Sequence, residues 1–285
     1  MTDTDVVIIG AGHNGLTCAA YLAMAGMRVK VVERRKVVGG AAVTEEFCPG
    51  FRNSVAAYTV SLLNPKIIAD LKLQENGLRI VERRAQNFLP APDGSFLLTG
   101  GGRTQASVAR LSARDAGRID AFGRELQTIA DVLRGLVLRT PPNIVQGFGL
   151  NSLREAFNAL GTANLLRGLE LEQQRTLLDL FTRSAGDMLD DRFDSDLVKA
   201  LFGFDAIVGN YASPYAPGSA YVMLHHAFGE VNGKKGVWGH AIGGMGAITL
   251  AMAQAAGAHG ADIEVAAGVR EVIVERDRAV GVVLE

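Results

Sequence analysis

The feature that most constrains this chain is an apolar run closed by three glycines near its start, VVIIGAGHNG from Val6 to Gly15. Val6 to Ile9 is rich in β-branched residues and reads as a buried strand. Gly10, Gly12 and Gly15 then stand in the spacing G-x-G-x-x-G. From His13 to Ala25 the helix formers Leu16, Ala19, Ala20, Leu22 and Ala23 gather on a compact face, and Gly26 suits a helix C-terminus. Arg28 to Val32 is a second apolar strand, closed by Glu33. A strand, tight turn, helix and strand within about 30 residues form a βαβ unit, and such units are right-handed.

That geometry dictates a chemistry. Gly10 permits the tight turn, Gly12 leaves room for a pyrophosphate, and Gly15 lets the helix lie close to the sheet. His13 and Asn14 place their backbone at the helix N-terminus, where N–H groups and the helix dipole favour phosphate. The Glu33 carboxylate is placed to accept hydrogen bonds from a ribose diol, which argues against a 2′-phosphate and so against NADP. A lone glycine motif is a weak signal. With strand, helix and acid in place it predicts a dinucleotide site. Gly39 and Gly40 follow Glu33 closely. A nicotinamide fold needs no second glycine pair there, whereas a flavin fold passes the pyrophosphate and ring again.

At this point GAGHNGL…YLAMAG and VVERRKVVGGA resemble the FAD-binding start of the phytoene desaturase and amine oxidase superfamily. Two longer stretches, ERRKVVGGAAVTEEFCPGF and the segment from Ser213 to Ile263, look like the pyridine nucleotide-disulphide oxidoreductase domain-containing protein 2 group. The resemblance runs from Asp5 to the last residue. It implies an α/β fold: a Rossmann-like FAD-binding domain of the GR2 type with an inserted, mixed α+β substrate or cap domain. It implies non-covalent FAD, with Arg35, beside the basic Arg34, helping to hold the adenosine end and Val269 touching the adenine through its backbone. Ala41 stands where amine oxidases commonly have Arg. The loop from Ala41 to Tyr58 is expected to run past the flavin ring, with Phe51, Asn53 and Tyr58 facing substrate. The group's name suggests disulfide chemistry, but Cys18 and Cys48 form no C-x-x-C pair. Cys18 is expected to be a small core residue.

Composition narrows the class. A chain of 285 residues, 48% hydrophobic and with a formal net charge of −1, can bury one large or two small cores. It offers no basic stripe for nucleic acid. Two cysteines suit a reducing compartment, and an acidic N-terminus leading straight into a strand resembles no signal or transit peptide, so a cytoplasmic protein is expected. No apolar run spans a bilayer, and no cluster has metal-ligand spacing.

The chain divides coarsely into residues 1–70 (first part of the FAD-binding domain), 71–235 (cap domain) and 236–285 (return to the FAD-binding domain). Strands are expected at Leu78–Val81 and Ser95–Thr99. The stripe Ile119, Phe122, Leu126, Ile129, Leu133 and Leu136 predicts a helix stopped by Pro141-Pro142. Further helices are expected over 151–168, 171–182, 195–202 and 219–229. After the glycine turn Gly243-Gly244 come a helix, a strand and a hairpin around Asp277.

Catalysis is less legible, because a flavin carries the hard chemistry in its own ring. The candidates are His225 and His226, preceded by Tyr215 and Tyr221, together with His240 and Tyr58. The expected reaction is hydride abstraction from a C–H bond of a lipophilic molecule. The alternatives are a non-catalytic FAD-binding protein and an NAD-dependent dehydrogenase. The stretch ELQTIADVLRGLVLRT fits either helix packing or a membrane surface. Measured against the family, the chain stops about half-way, so it is expected to need the other half, as a longer chain or a partner, or to self-associate.

Overall fold

The computed structural model describes residues 4–143 and 150–285. The first stretch of chain forms β1 (Val6–Ile9), α1 (His13–Met24), β2 (Val29–Glu33), β3 (Thr44–Cys48), β4 (Phe51–Ser54), α2 (Pro65–Asp70) and β5 (Ile80–Glu82). Next come β6 (Phe88–Pro90), β7 (Phe96–Leu98), α3 (Thr104–Ala109), α4 (Ala113–Val137) and α5 (Leu150–Arg167). They are followed by α6 (Leu171–Thr182), α7 (Ala185–Asp190), α8 (Asp196–Asp205), a 3₁₀ turn (Ala220–Leu224) and α9 (His225–Phe228). The last stretch holds β8 (Glu230–Val231), β9 (Lys234–Lys235), β10 (Gly239–Ala241), α10 (Gly246–Ala258), β11 (Asp262–Val265), β12 (Val269–Glu275) and β13 (Arg278–Leu284).

These elements form two compact units. One holds the described residues up to Arg83 with Glu230–Lys234 and Trp238–Glu285; the other holds those of Arg84–Gly229 with Lys235–Val237. The first boundary falls at Arg83 rather than near residue 70. The reason is that β5 pairs antiparallel with β10, Ile80 opposite Ala241 and Glu82 opposite Gly239, and so stays with the nucleotide unit.

In the first unit β1, β2 and β11 form a parallel sheet with β2 in the middle, Val6 opposite Val29 and Asp262 opposite Lys30. As the central strand, β2 buries Val29, Val31, Val32 and Glu33, while Lys30 reaches Asp262 and Glu264 on β11 at 2.7 Å each. Helix α1 buries the small stripe Leu16, Ala19, Ala20 and Ala23, and α10 packs on it with Ile248, Ala251, Met252 and Ala255. Small side chains on both helices allow this close approach. Cys18 is not in that core; it falls on the opposite side of α1 and is exposed. Strands β12 and β13 form a hairpin whose turn puts Arg276 and Asp277 in the left-handed region, as a two-residue turn requires.

The second unit is mainly helical. Helix α4 starts at the N-cap Ser112, whose hydroxyl accepts the Asp115 N–H at 3.1 Å. It buries Ile119, Phe122, Leu126 and Ile129 in the unit's core, so the amphipathic stripe packs against protein. Phe122 meets Phe193 and Phe202 edge-on, with centroids 5.4 and 5.0 Å apart. The buried Asp115 carboxylate accepts the N–H groups of Asp194 and Ser195 at 3.0 and 2.8 Å, covering the start of α8. The helix expected over 219–229 is a 3₁₀ turn followed by the four residues of α9, and α7 was not visible in the sequence pattern. Among the described residues no helix is long and apolar enough to cross a membrane, and no cluster of His, Cys, Asp and Glu could hold a metal ion.

Candidate dinucleotide cradle and adjoining cleft

The three glycines of the first loop owe their identity to different causes. Gly10 has φ +99°, a conformation that favours glycine, and its N–H donates to the Val32 carbonyl at 2.8 Å. Gly15 sits so close to the strand end that an added Cβ would lie 2.1 Å from the Gly10 carbonyl oxygen. Gly12 is unlike both. Its φ of −76° and ψ of 173° suit any residue, and an added Cβ would meet only the Gly40 Cα, at 3.8 Å. Nothing in the described chain requires glycine at position 12, so the space beside it is a cradle that a side chain would fill. Helix α1 begins at this point with no side-chain cap and no acidic residue in its first turn, leaving an N-terminus suited to phosphate oxygens. His13 and Asn14 open the helix with exposed side chains.

The glycine pair is bound to this loop. The Gly39 N–H donates to the Ala11 carbonyl at 2.8 Å, and Gly12 and Gly39 form an isolated parallel bridge. Both glycines of the pair take positive φ, and an added Cβ on Gly40 would come within 3.1 Å of the Gly12 Cα. The chain therefore passes the glycine loop a second time at Gly39. Ala41 follows in a short 3₁₀ turn, exposed.

Glu33 is where these segments meet. Only 7% exposed, it accepts the Ala11 N–H on one carboxylate oxygen at 2.8 Å and the Arg35 N–H on the other at 2.9 Å. Its own carbonyl accepts the Ala267 N–H, and that of Arg35 accepts the Ala266 N–H, each at 2.8 Å. Each carboxylate oxygen keeps a lone pair for a ribose hydroxyl. Glu33 thus ties the glycine loop to the turn after β2. Arg34 is exposed, while Arg35 pairs with Glu45 on β3. Val269 begins β12 two residues beyond Ala267.

The stretch expected as a loop from Ala41 to Tyr58 contains the β3–β4 hairpin, with Thr44 opposite Ser54 and Glu46 opposite Arg52; Cys48 therefore ends a strand. The hairpin grips the start of α10. The Thr44 hydroxyl accepts the Gly246 N–H at 2.9 Å and the Ser54 hydroxyl accepts the Met245 N–H at 3.0 Å. Gly244, at φ +82°, has to be small because an added Cβ would lie 2.4 Å from the Thr44 Oγ1. Beside this junction lies a cleft of about 600 Å³ lined by Thr44, Arg52, Asn53, Ser54, Tyr58, His240 and the Gly243-Gly244 turn. Behind it Arg83 stands 6.0 Å from the Tyr58 ring centroid and 5.5 Å from that of Trp238, and its Nε–H donates to the His240 Nε2 at 3.1 Å. Burial draws the Arg83 guanidinium below its ordinary value. Two of the four catalytic candidates, Tyr58 and His240, thus share one cleft with Asn53. Phe51 is 65% exposed, and no pattern in the sequence pointed to Thr44, Ser54 or Arg83.

His225 and His226 lie in the second unit. The His226 Nδ1 is 2.7 Å from an oxygen of the fully buried Asp205, and its ring lies against Phe202 with centroids 4.9 Å apart. The other Asp205 oxygen and the His225 Nδ1 are buried without a partner among the described residues. Tyr215 donates to Asp190 at 3.0 Å and Tyr221 stacks on Phe181.

Comparison with known proteins agrees with this geometry. A model of the NAD(P)-binding Rossmann-like domain matches residues 8–71. The pyridine nucleotide-disulfide oxidoreductase domain-containing protein 2 of Rattus norvegicus is 40% identical over 301 residues, covering 99% of this chain and 50% of the rat protein. One of the subunits of limonene dehydrogenase from Castellaniella defragrans is 42% identical over 130 residues, 45% of this chain and 24% of that protein. Among solved structures, a triple mutant of putrescine oxidase superposes with a TM-score of 0.59 at 21% identity, covering 99% of this chain and 54% of that one, a likeness of fold. The chain spans about half the length of the curated relatives that match it from end to end. It is accordingly a homologue of pyridine nucleotide-disulfide oxidoreductase domain-containing protein 2, built on a Rossmann-like fold.

Proposed function

We propose that this chain provides the cofactor-binding half of an FAD-dependent oxidoreductase that removes hydride from a C–H bond of a lipophilic organic substrate. The observation that carries the reading is Gly12, a position where nothing among the described residues requires glycine, beside an uncapped helix start and the second glycine pair. A nicotinamide cofactor accounts for the first loop but not for the return of Gly39 and Gly40 onto it. When bound, FAD supplies a ring that accepts hydride at N5. The chain's own residues do the rest. The α1 N-terminus and the loop N–H groups hold the diphosphate, Glu33 accepts the ribose hydroxyls, and the β3–β4 hairpin shapes the side facing substrate. The limonene dehydrogenase match supports a lipophilic substrate.

We further infer that turnover needs residues equivalent to the relatives' remaining half, in one polypeptide or as a partner. The support is the half-length match together with exposed Val7 and Ile9 on β1 and Val272, Val274 and Val280 on the β12–β13 hairpin. The test is to saturate the purified chain with FAD and with NAD separately, remove excess, denature it and chromatograph what is released. FAD released in proportion to protein is expected; NAD alone, or flavin that stays attached to the chain, rejects the reading.

A further inference from the structure

We propose that the cleft beside the β3–β4 hairpin binds a carboxylate or equivalent oxyanion of the organic substrate, with Arg52 as its charge partner and the His240 Nδ1–H as a directed donor. This rests on the oxidoreductase reading and adds the substrate's chemical class.

The lining is rich in donors and poor in acceptors. Arg52 is exposed to the cleft, and among the described residues its side chain makes one hydrogen bond, a 3.5 Å contact to the Thr44 carbonyl. Glu46 lies opposite it across the hairpin, but the Glu46 carboxylate accepts the Gly50 N–H, and the two form no ion pair. The Asn53 side-chain oxygen accepts the Ser54 N–H at 2.9 Å, leaving its NH₂ to donate. The Thr44 and Ser54 oxygens already accept N–H groups from the start of α10, so each hydroxyl proton is free to point at a ligand. No Asp or Glu is among the lining residues.

Arg83 decides how His240 takes part. A guanidinium has no acceptor, so its Nε–H can only donate to the His240 Nε2. The imidazole therefore carries its proton on Nδ1 and offers the cleft a donor. His240 is thereby a positioning and specificity residue. The two aromatic rings beside Arg83 hold the guanidinium in place, so this donor is set before any ligand arrives. An ammonium group would find a fixed cation and several donors here, so the cleft selects against amines.

Trp238, the chain's single tryptophan, lies 5.5 Å from Arg83 and reports on the cleft by fluorescence. The experiment titrates the full chain with octanoate, octanol and octylamine. Octanoate should quench saturably, at least about tenfold more tightly than octanol, and octylamine should have no effect. Arg52→Gln should weaken octanoate about tenfold and leave octanol unchanged. His240→Asn, which keeps a donor near the Nδ1 position, should hold octanoate within a few-fold, whereas His240→Phe should not.

Equal affinity for the three ligands, or an unaltered Arg52→Gln, overturns the proposal. So does competition between FAD and octanoate, since the donors would then belong to the cofactor's diphosphate. These titrations need no bound flavin. Failure to bind FAD rejects the cofactor reading without touching this result.

Discussion

Two buried carboxylates, one from each unit of the molecule, are satisfied in different ways. Glu33 in the first unit receives backbone N–H groups on both oxygens, from Ala11 and Arg35. Asp205 in the second is more deeply buried and, among the described residues, meets only the His226 imidazole and leaves an oxygen unpartnered. Backbone donors come with the fold and survive every substitution except proline, so Glu33 is secured by the geometry of the loop it organises. Asp205 depends on one side chain. A carboxylate held by backbone can also serve a ligand, whereas one held by a single imidazole is vulnerable to loss of that partner.

The largest effect should come from breaking the weaker arrangement. His226→Ala leaves Asp205 buried with no partner and should destabilise the second unit by about 4 kcal/mol. His226→Ala with Asp205→Leu should recover much of that loss, because no buried polar group is then left without a partner. Urea unfolding followed by circular dichroism measures both. A single variant that loses less than about 1 kcal/mol would mean that solvent reaches Asp205 on its own.

The second test separates two glycines of one motif. Gly15→Ala drives a methyl group onto the Gly10 carbonyl oxygen and should cost about 3 kcal/mol, or prevent folding. Gly12→Ala should alter stability by less than about 1 kcal/mol, since its backbone suits alanine and its Cβ meets no obstruction. It should nevertheless weaken FAD binding at least about tenfold by filling pyrophosphate space. If Gly12→Ala unfolds the chain, or binds FAD like the parent, the distinction fails.

Glu33→Ala ranks next. It strips an acceptor from two N–H groups and should cost about 2 kcal/mol of stability besides weakening FAD. The sequence pointed to a ribose ligand at Glu33 and disclosed neither of these N–H partners. Glu33→Gln keeps one acceptor oxygen and should fall between the two. Equal stability of all three proteins in thermal unfolding would show that the loop does not depend on this carboxylate.

The same contrast explains what the sequence disclosed. The βαβ unit is written in local terms: β-branched strands, glycines at fixed spacing and an acid at a strand end, each set by its neighbours. The α4 stripe was legible because a long helix repeats one period several times. The β3–β4 hairpin read as a loop because TEEFC and FRNS lie mostly exposed on both faces and show no clean alternation. Helix α7 was too short for a period to appear. Cys18 was misplaced because its small size suggests a core, whereas Leu16, Ala19 and Ala20 already fill the inner face of α1. The pairings of Asp205 with His226 and of Arg83 with His240 span 21 and 157 residues, and no local pattern encodes either.

The smallest effect belongs to a surface contact of the first unit, and it has a pH signature. The Tyr21 hydroxyl on α1 donates to Asp70 at the end of α2 at 2.6 Å. Burial, then the hydrogen bond to Asp70, push its pKa from 10.0 up to about 12. A folded-state value above the unfolded one means that the protonated phenol is favoured by folding. The contribution is therefore complete below about pH 10 and is lost as the pH rises through about 12. Tyr21→Phe should cost less than about 1 kcal/mol at pH 7, because the pair is only part-buried. The gap between the two proteins should shrink over that alkaline window and vanish above it. Subtracting the variant's unfolding curve from the parent's at each pH cancels the titration of every other group. A gap that stays constant from about pH 7 to about pH 12, or that widens, would show that Tyr21 supports α2 by packing its ring, with no contribution from the Asp70 hydrogen bond.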